Sequence, residues 1–242
     1  MTYASGICGG SQSGKSITTY NYLIEDCLNR GKLSTTNGVG SAGIAGSYSG
    51  AIKNCNNNGN VDDTQGTSKS KLYTAGIVSC ASFAVDIEGC YNRGAISGVK
   101  NVGGIVGNVM KGDEAATVIK NCRNDGSVSG EDMYVAGIVA NSARNEGVVS
   151  VVSCTNNGEV TSTGTTEFIG NLRGNTNIAL GEGNIIGAGL KALPLDPDTQ
   201  TGIDNTNVNT GNTTNGVFLR NGQIVIVKNN KKYTISGIEI AE

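Results

Sequence analysis

Over the first two-thirds of the chain, apolar and small residues alternate with polar ones in short stretches that recur. In Cys122-Arg123-Asn124-Asp125-Gly126-Ser127-Val128 every second residue is Cys, Asn, Gly or Val, and the residues between are Arg, Asp and Ser. The same order stands at Cys27/Asn29/Gly31/Leu33, Cys55/Asn57/Gly59/Val61, Cys90/Asn92/Gly94/Ile96 and Cys154/Asn156/Gly158/Val160. Spacing by two turns all four side chains toward one side of an extended chain. It predicts a strand with one buried face, bent at the glycine, where a positive φ or close packing excludes a side chain.

Two further apolar signals keep pace with the first. Gly-Ile recurs at Gly6-Ile7, Gly43-Ile44, Gly76-Ile77, Gly104-Ile105 and Gly137-Ile138, with a decayed copy at Phe168-Ile169-Gly170. An aliphatic residue stands three before each slot cysteine: Ile24, Ile52, Ile87, Ile119 and Val151. Each unit therefore carries two or three short strands separated by variable loops. The slot cysteines lie 28, 35, 32 and 32 residues apart. Repetition at that period means a stacked array, and no stretch shows a capped 3.6-residue apolar period. The helix candidate around residues 20–28 falls inside the repeat and is better taken as strand. The expectation is an all-β fold: a parallel β-solenoid (β-helix) over residues 1–174, with about five coils of ~32 residues.

Stacking places like residues over like, in neighbours about 4.8 Å apart. Asn29, Asn57, Asn92, Asn124 and Asn156 then satisfy their buried amides on one another, in a ladder that also fixes register. Cys27, Cys55, Cys90, Cys122 and Cys154 form a second interior ladder, as small buried hydrophobes. Side-by-side Cβ vectors suit a disulfide poorly. The lesser alternatives are a disulfide (Cys8 and Cys80 lie outside the slot) and a metal site, for which the usual CxxC spacing is missing.

After Gly174 the repeat stops. Residues 175–216, rich in Asn, Thr and Gly, are expected to form a linker or irregular segment. Residues 217–242 are expected to give three short strands, with Asn221-Gly222 as a hairpin turn. Three strands alone are marginal in water, so docking on the last coil or a sorting-type role is expected of this tail. The N-terminus opens straight into a repeat strand without a leader. The chain is therefore expected to be the later part of a longer protein whose leader has been removed.

Composition narrows the chemistry. Histidine is absent, which excludes Ser-His-Asp and Cys-His nucleophile systems and His-containing zinc sites. A net charge of −2, with 16% charged residues, gives no footprint for nucleic acid. No apolar run is long enough for a transmembrane helix. Gly9 to Ser16 matches the phosphate-loop pattern GxxxxGK[ST], but the repeat requires residues 17–33 to return as strand, leaving no helix behind the phosphates. No nucleotide and no cofactor is expected. Asp62, Asp63, Asp86, Asp113, Glu114, Glu131 and Asp132 share no repeat slot, so they are expected to be solvated loop charge, with no catalytic and no metal residues assigned.

The Val102–Gly107 string, the segment 119–130 and the segment 87–98 resemble the GLUG repeat. It occurs in bacterial surface proteins, among them adhesin-like proteins of gut Bacteroidetes, and in accessory regions of some immunoglobulin A peptidases. The resemblance covers roughly residues 4–172. It implies a secreted or cell-surface, non-catalytic scaffold that binds or displays, with a host or surface ligand (glycan or protein). The alternative is a β-helix carbohydrate-active enzyme or an accessory region of a larger surface peptidase.

Overall fold

The computed structural model describes residues 3–10, 22–35, 38–64, 72–110, 116–164 and 169–187. It also describes the strands Gly216–Arg220, Gln223–Lys228 and Lys231–Thr234, which are given by their backbone, as are Phe83 and Ala84. The chain divides into two compact units, Met1–Leu193 and Pro194–Glu242. Among the described residues every regular element is a strand, and no helix is long and apolar enough to cross a membrane.

The first unit is a parallel β-solenoid. One coil shows the path: Val102–Gly103, Val106–Val109, Thr117–Lys120, Arg123–Asn124 and Val128–Gly130. Each segment pairs in parallel with its counterpart one coil on, and four sheets run the length of the stack. The first sheet carries the strand before Gly-Ile, and the second runs from after Gly-Ile to just before the cysteine. The third carries the Cys-x-Asn strand, and the fourth the aliphatic residue at the end of the motif. The single bent strand expected from the motif is thus two strands of two or three residues, on different sheets, with the glycine at the corner between them.

The second sheet absorbs the variation in coil length. Ala45–Lys53 and Val78–Glu88 run straight through. In the first coil Cys8–Gly10 and Leu23–Glu25 both pair with Ala45–Lys53, so the stretch between them interrupts one strand position. The phosphate-loop pattern falls there. Gly9 and Gly10 are strand, and its remaining residues lie outside the described residues. Residues 22–34 return to the stack as Leu23–Glu25, Leu28–Asn29 and Leu33–Ser34.

The corner before each slot cysteine has its own cause. Asp26, Asn54, Gly89, Asn121 and Ser153 hold φ between 50° and 63°. Asn, Asp and Gly tolerate that left-handed geometry best, which turns the chain from the second sheet into the third. Just ahead of this corner, Glu25, Lys53, Glu88 and Lys120 are successive register partners. Lys120 Nζ lies 3.2 Å from Glu88 Oε1. Opposite charges on adjacent strands favour this register over a slip.

The boundary at 174 is corrected. Ile178–Leu180 pairs with Val149–Val152 and Ile185–Ile186 with Thr155–Asn156, both in parallel. The stack thus continues through residues assigned to a linker, because its pairing is made by backbone groups and survives loss of the motif. In the second unit the three described strands form an antiparallel sheet, with Phe218 opposite Val225 and Ile226 opposite Tyr233. Asn221-Gly222 lies outside the described residues.

Candidate functional site

The interior is divided by the asparagines. Asn29 Nδ2 donates to Asn57 Oδ1 at 2.8 Å, Asn57 to Asn92 at 2.8 Å, Asn92 to Asn124 at 2.7 Å and Asn124 to Asn156 at 2.8 Å. Every amide points the same way along the stack, and each also donates to the carbonyl of the glycine two residues on. On the opposite wall, the glycines of the Gly-Ile string press against these side chains. A methyl group built on Gly104 would meet Asn124 Cγ at 2.5 Å, and one on Gly76 would collide with Asn92. The Asn–Gly layer separates two apolar compartments. The larger holds Ile44, Ile77, Ile105 and Ile138 with the cysteines; the smaller holds Val61, Ile96, Val102, Val128 and Val135.

All seven cysteines are free thiols. Cys55, Cys90, Cys122 and Cys154 are buried, and Cys27, at the first coil, is half-buried. Each of these four slot thiols donates to the carbonyl two residues back and to a carbonyl of the preceding coil, as Cys154 does to Val152 and Ile119 at 3.4 Å each; Cys80, outside the slot, is buried too. Burial, with the Cys154 and Cys90 thiols beside it, pushes Cys122 well above the usual thiol range. Hydrogen bonds from the adjacent thiols instead hold Cys90 and Cys154 below that range, and all four pack within the larger apolar compartment.

The corner glycine is explained by close packing rather than by φ. A Cβ at Gly59, Gly94, Gly126 or Gly158 would overlap the carbonyl oxygen of the glycine one coil before it, and none of the four has positive φ.

The acidic residues depart from expectation at three positions: Asp62 and Asp86 stand in strands rather than loops, and Asp63 departs furthest. Asp63 is buried, 1% exposed, rather than solvated loop charge. Its Oδ1 accepts from Thr35 Oγ1 at 2.6 Å and Ser41 Oγ at 2.8 Å, and its Oδ2 from Thr74 Oγ1 at 3.2 Å. Hydrogen bonding offsets the cost of burying the carboxylate. Asp62 is half-buried and caps Thr64. Asp86 and Glu131 are exposed and Asp132 is half-buried, while Asp113 and Glu114 lie outside the described residues.

The outward face of the third sheet carries the richest surface constellation. Tyr91 and Arg123 are register partners, and Arg93, Asp125 and Asn157 follow in the adjacent column. Tyr91 Oη donates to Asp125 Oδ2. Arg123 Nε donates to Asp125 Oδ1 at 2.8 Å and Asn157 Nδ2 to the same oxygen at 2.7 Å. The Arg93 guanidinium stands 4.3 Å from the Tyr91 ring centre and that of Arg123 5.3 Å. Burial, and after it the Asp125 carboxylate, holds the Tyr91 phenol above its usual range, so it stays protonated and donates. Burial alone would raise Asp125, but bonds from Arg123, Tyr91 and Asn157 outweigh it and keep the carboxyl below the usual range. Three coils thus lock an aromatic ring, two guanidiniums and a carboxylate on a rigid surface.

Compared with family models, curated proteins and solved structures, the chain matches none of them.

The geometry therefore stands alone. Among the described residues no group of three or more Cys, Asp or Glu side chains is placed to hold a metal ion. The Tyr91 constellation is not singled out by the sequence, because its members come from three different coils and meet only once the register is known. Its detectable signal is the run of Tyr91, Arg93, Arg123 and Asp125 at the outward positions between the motif residues.

Proposed function

We propose that this chain is a non-catalytic, secreted or cell-surface module, an adhesin-like scaffold that binds or displays through the outward face of its third sheet. The observation that carries the reading is the fixed Tyr91–Arg93–Arg123–Asp125–Asn157 cluster. A protonated phenol, an ionised carboxylate and two guanidiniums over a ring offer hydrogen-bonding and cation–π surface to a glycan or protein, without an activated nucleophile. The inward polar groups support the same reading: Asn92 and its ladder neighbours are engaged with one another, which makes the coils a rigid platform. Rigid platforms hold binding groups in place at low entropic cost.

The test is a binding screen against immobilised host glycans, mucin and extracellular matrix proteins, comparing the wild-type chain with Tyr91→Ala and Arg93→Ala, with turnover assayed in parallel. Binding that both variants lose supports the proposal. Reproducible cleavage of a polysaccharide, or binding indifferent to both substitutions, overturns it.

A further inference from the structure

The outward positions of the third sheet favour one sign of charge. Arg30, Asn58, Arg93, Asp125 and Asn157 each follow a ladder asparagine and lie one above another in successive coils. Lys32 stands two residues beyond Arg30, and Arg123 is the register partner of Tyr91. Against these four cations the face sets Asp125 and, in the fifth coil, Glu159, a surplus of two positive charges in a chain whose net charge is −2. Its outward positions in the first three coils hold no acid.

The one carboxylate among the cations is recessed. The Asp125 side chain is 14% exposed, whereas that of Arg123, paired with it through Nε, is 52% exposed. Tyr91, Arg123 and Asn157 occupy the Asp125 oxygens, so this acid fixes the guanidinium from beneath and shows little charge to solvent. Arg123 Nη1 and Nη2 have no partner among the described residues. Arg93 faces the Tyr91 ring and, like Arg30 and Lys32, has no carboxylate in ion-pair reach among the described residues. Glu25 and Glu88 lie ahead of the corner, on the second sheet, and Glu88 faces Lys120.

The arrangement is a track along the stack. Neighbouring coils are about 4.8 Å apart, so Arg123, Arg93 and Arg30 span about 14 Å of the axis. Between Arg93 and Arg30 the outward positions are the amides Asn56 and Asn58. A protein partner needs an apolar anchor at the centre of such a face, and a nucleic acid needs an open ring on which to stack. The Tyr91 ring is instead taken by two guanidiniums. Held guanidiniums separated by neutral amides suit a polymer of hydroxyls and spaced anions.

We propose that this face binds an acidic polysaccharide, laid along the stack with its carboxylate or sulfate groups on Arg30, Arg93 and Arg123 and its hydroxyls on Asn56 and Asn58. The inference rests on the third sheet's outward face being the binding surface, and adds the chemistry of the ligand.

The whole chain is titrated with dextran sulfate, carboxymethyl-dextran and unmodified dextran, which share a backbone and differ in charge. Oligothymidylate and polyglutamate are the competing probes. The expected result is binding of one or both charged dextrans, weakening as salt rises, with none of the unmodified polymer. Arg93→Gln and Arg30→Gln should each bind about tenfold more weakly, through loss of a charge-assisted contact. Lys53→Gln, which removes a cation of the second sheet, should bind like wild type. Equal weakening by all three substitutions would reveal unspecific charge attraction and overturn the proposal. Oligothymidylate or polyglutamate bound as tightly as the charged dextrans overturns the glycan class. Charged dextran bound equally by wild type and all three variants overturns the face together with its ligand. If neither charged dextran binds, the acidic ligand is overturned, and binding in the glycan and matrix screen that depends on Tyr91 and Arg93 would leave the face itself standing.

Discussion

Gly104 lies flat against the side chain of Asn124, so that a methyl group at Gly104 would sit 2.5 Å from Asn124 Cγ and also strike the carbonyl oxygen of Gly137. The second repeat string thus exists to make room for the first. Gly104→Ala must push apart two walls and one neighbouring coil at once. Its expected cost is about 3 kcal/mol, measured as the shift in urea midpoint at constant slope. A loss below ~0.5 kcal/mol would show that the interior is not closed at this layer.

The corner glycines should separate by position. Gly94→Ala drives a methyl group into the carbonyl of Gly59 and is expected to cost at least about 2 kcal/mol. Among the described residues Gly31→Ala meets only Asn29 Oδ1, at an ordinary contact distance of 3.5 Å, and should leave stability unchanged or raise it by up to ~1 kcal/mol, through lower entropy of the unfolded chain. Equal losses at the two positions would contradict close packing on a neighbouring carbonyl as the reason for the corner glycine.

Asn92→Ala removes an acceptor from Asn57 and a donor from Asn124 in the middle of the ladder. It should destabilise by about 2–4 kcal/mol, the cost of the unsatisfied groups plus a small cavity. Asn156→Ala has Ile186 beyond it and should cost visibly less. Equilibrium unfolding of both variants, side by side, checks the order.

How far the architecture can be read without coordinates depends on where the partner residues lie. The four inward slots follow from spacing by two within one strand, so Cys90, Asn92, Gly94 and Ile96 declare their common face. The left-handed corner leaves a trace in residue type alone: Asp26, Asn54, Gly89 and Asn121 suit φ near 50° to 63°, but many turns would suit them equally. Burial of Asp63 leaves no such trace, because Ser41 and Thr74, which donate to it, come from a different sheet in two coils. The continuation past Gly174 is hidden because Asn184 and Ile186 replace the slot residues while the backbone pairing persists.

The Tyr91 cluster gives an acid-side prediction. Asp125 is held below its ordinary value in the folded chain, so its contribution is present above the unfolded carboxyl pKa of about 3.9 and is lost as pH falls through the folded value. Asp125→Asn should be less stable than wild type at pH 6, and the gap should narrow below about pH 4. Thermal melts across that range decide it. A gap independent of pH would place the effect of the substitution elsewhere than in the lost charge.

On the alkaline side, burial pushes the Tyr48 phenol up to about 12. The raised value means that its contribution is fully present below about pH 10, the unfolded value, and is lost as pH rises through the folded one. Wild type should therefore weaken between these limits, and Tyr48→Phe should flatten part of that slope. Phenolate absorbance recorded with the unfolding signal gives the direct readout.

The bonds joining one coil to the next, from the backbone ladders to Asn57–Asn92, all lie along the axis of the stack. A pull along that axis therefore strains them end-on, and each coil is gripped only by its neighbours. Under tension the array should yield as a peeling spool, releasing one turn of chain at a time from an end. With ~32 residues per turn, each release would lengthen the tether by roughly 100 Å. Such a chain gives way in small steps under load rather than failing in a single rupture.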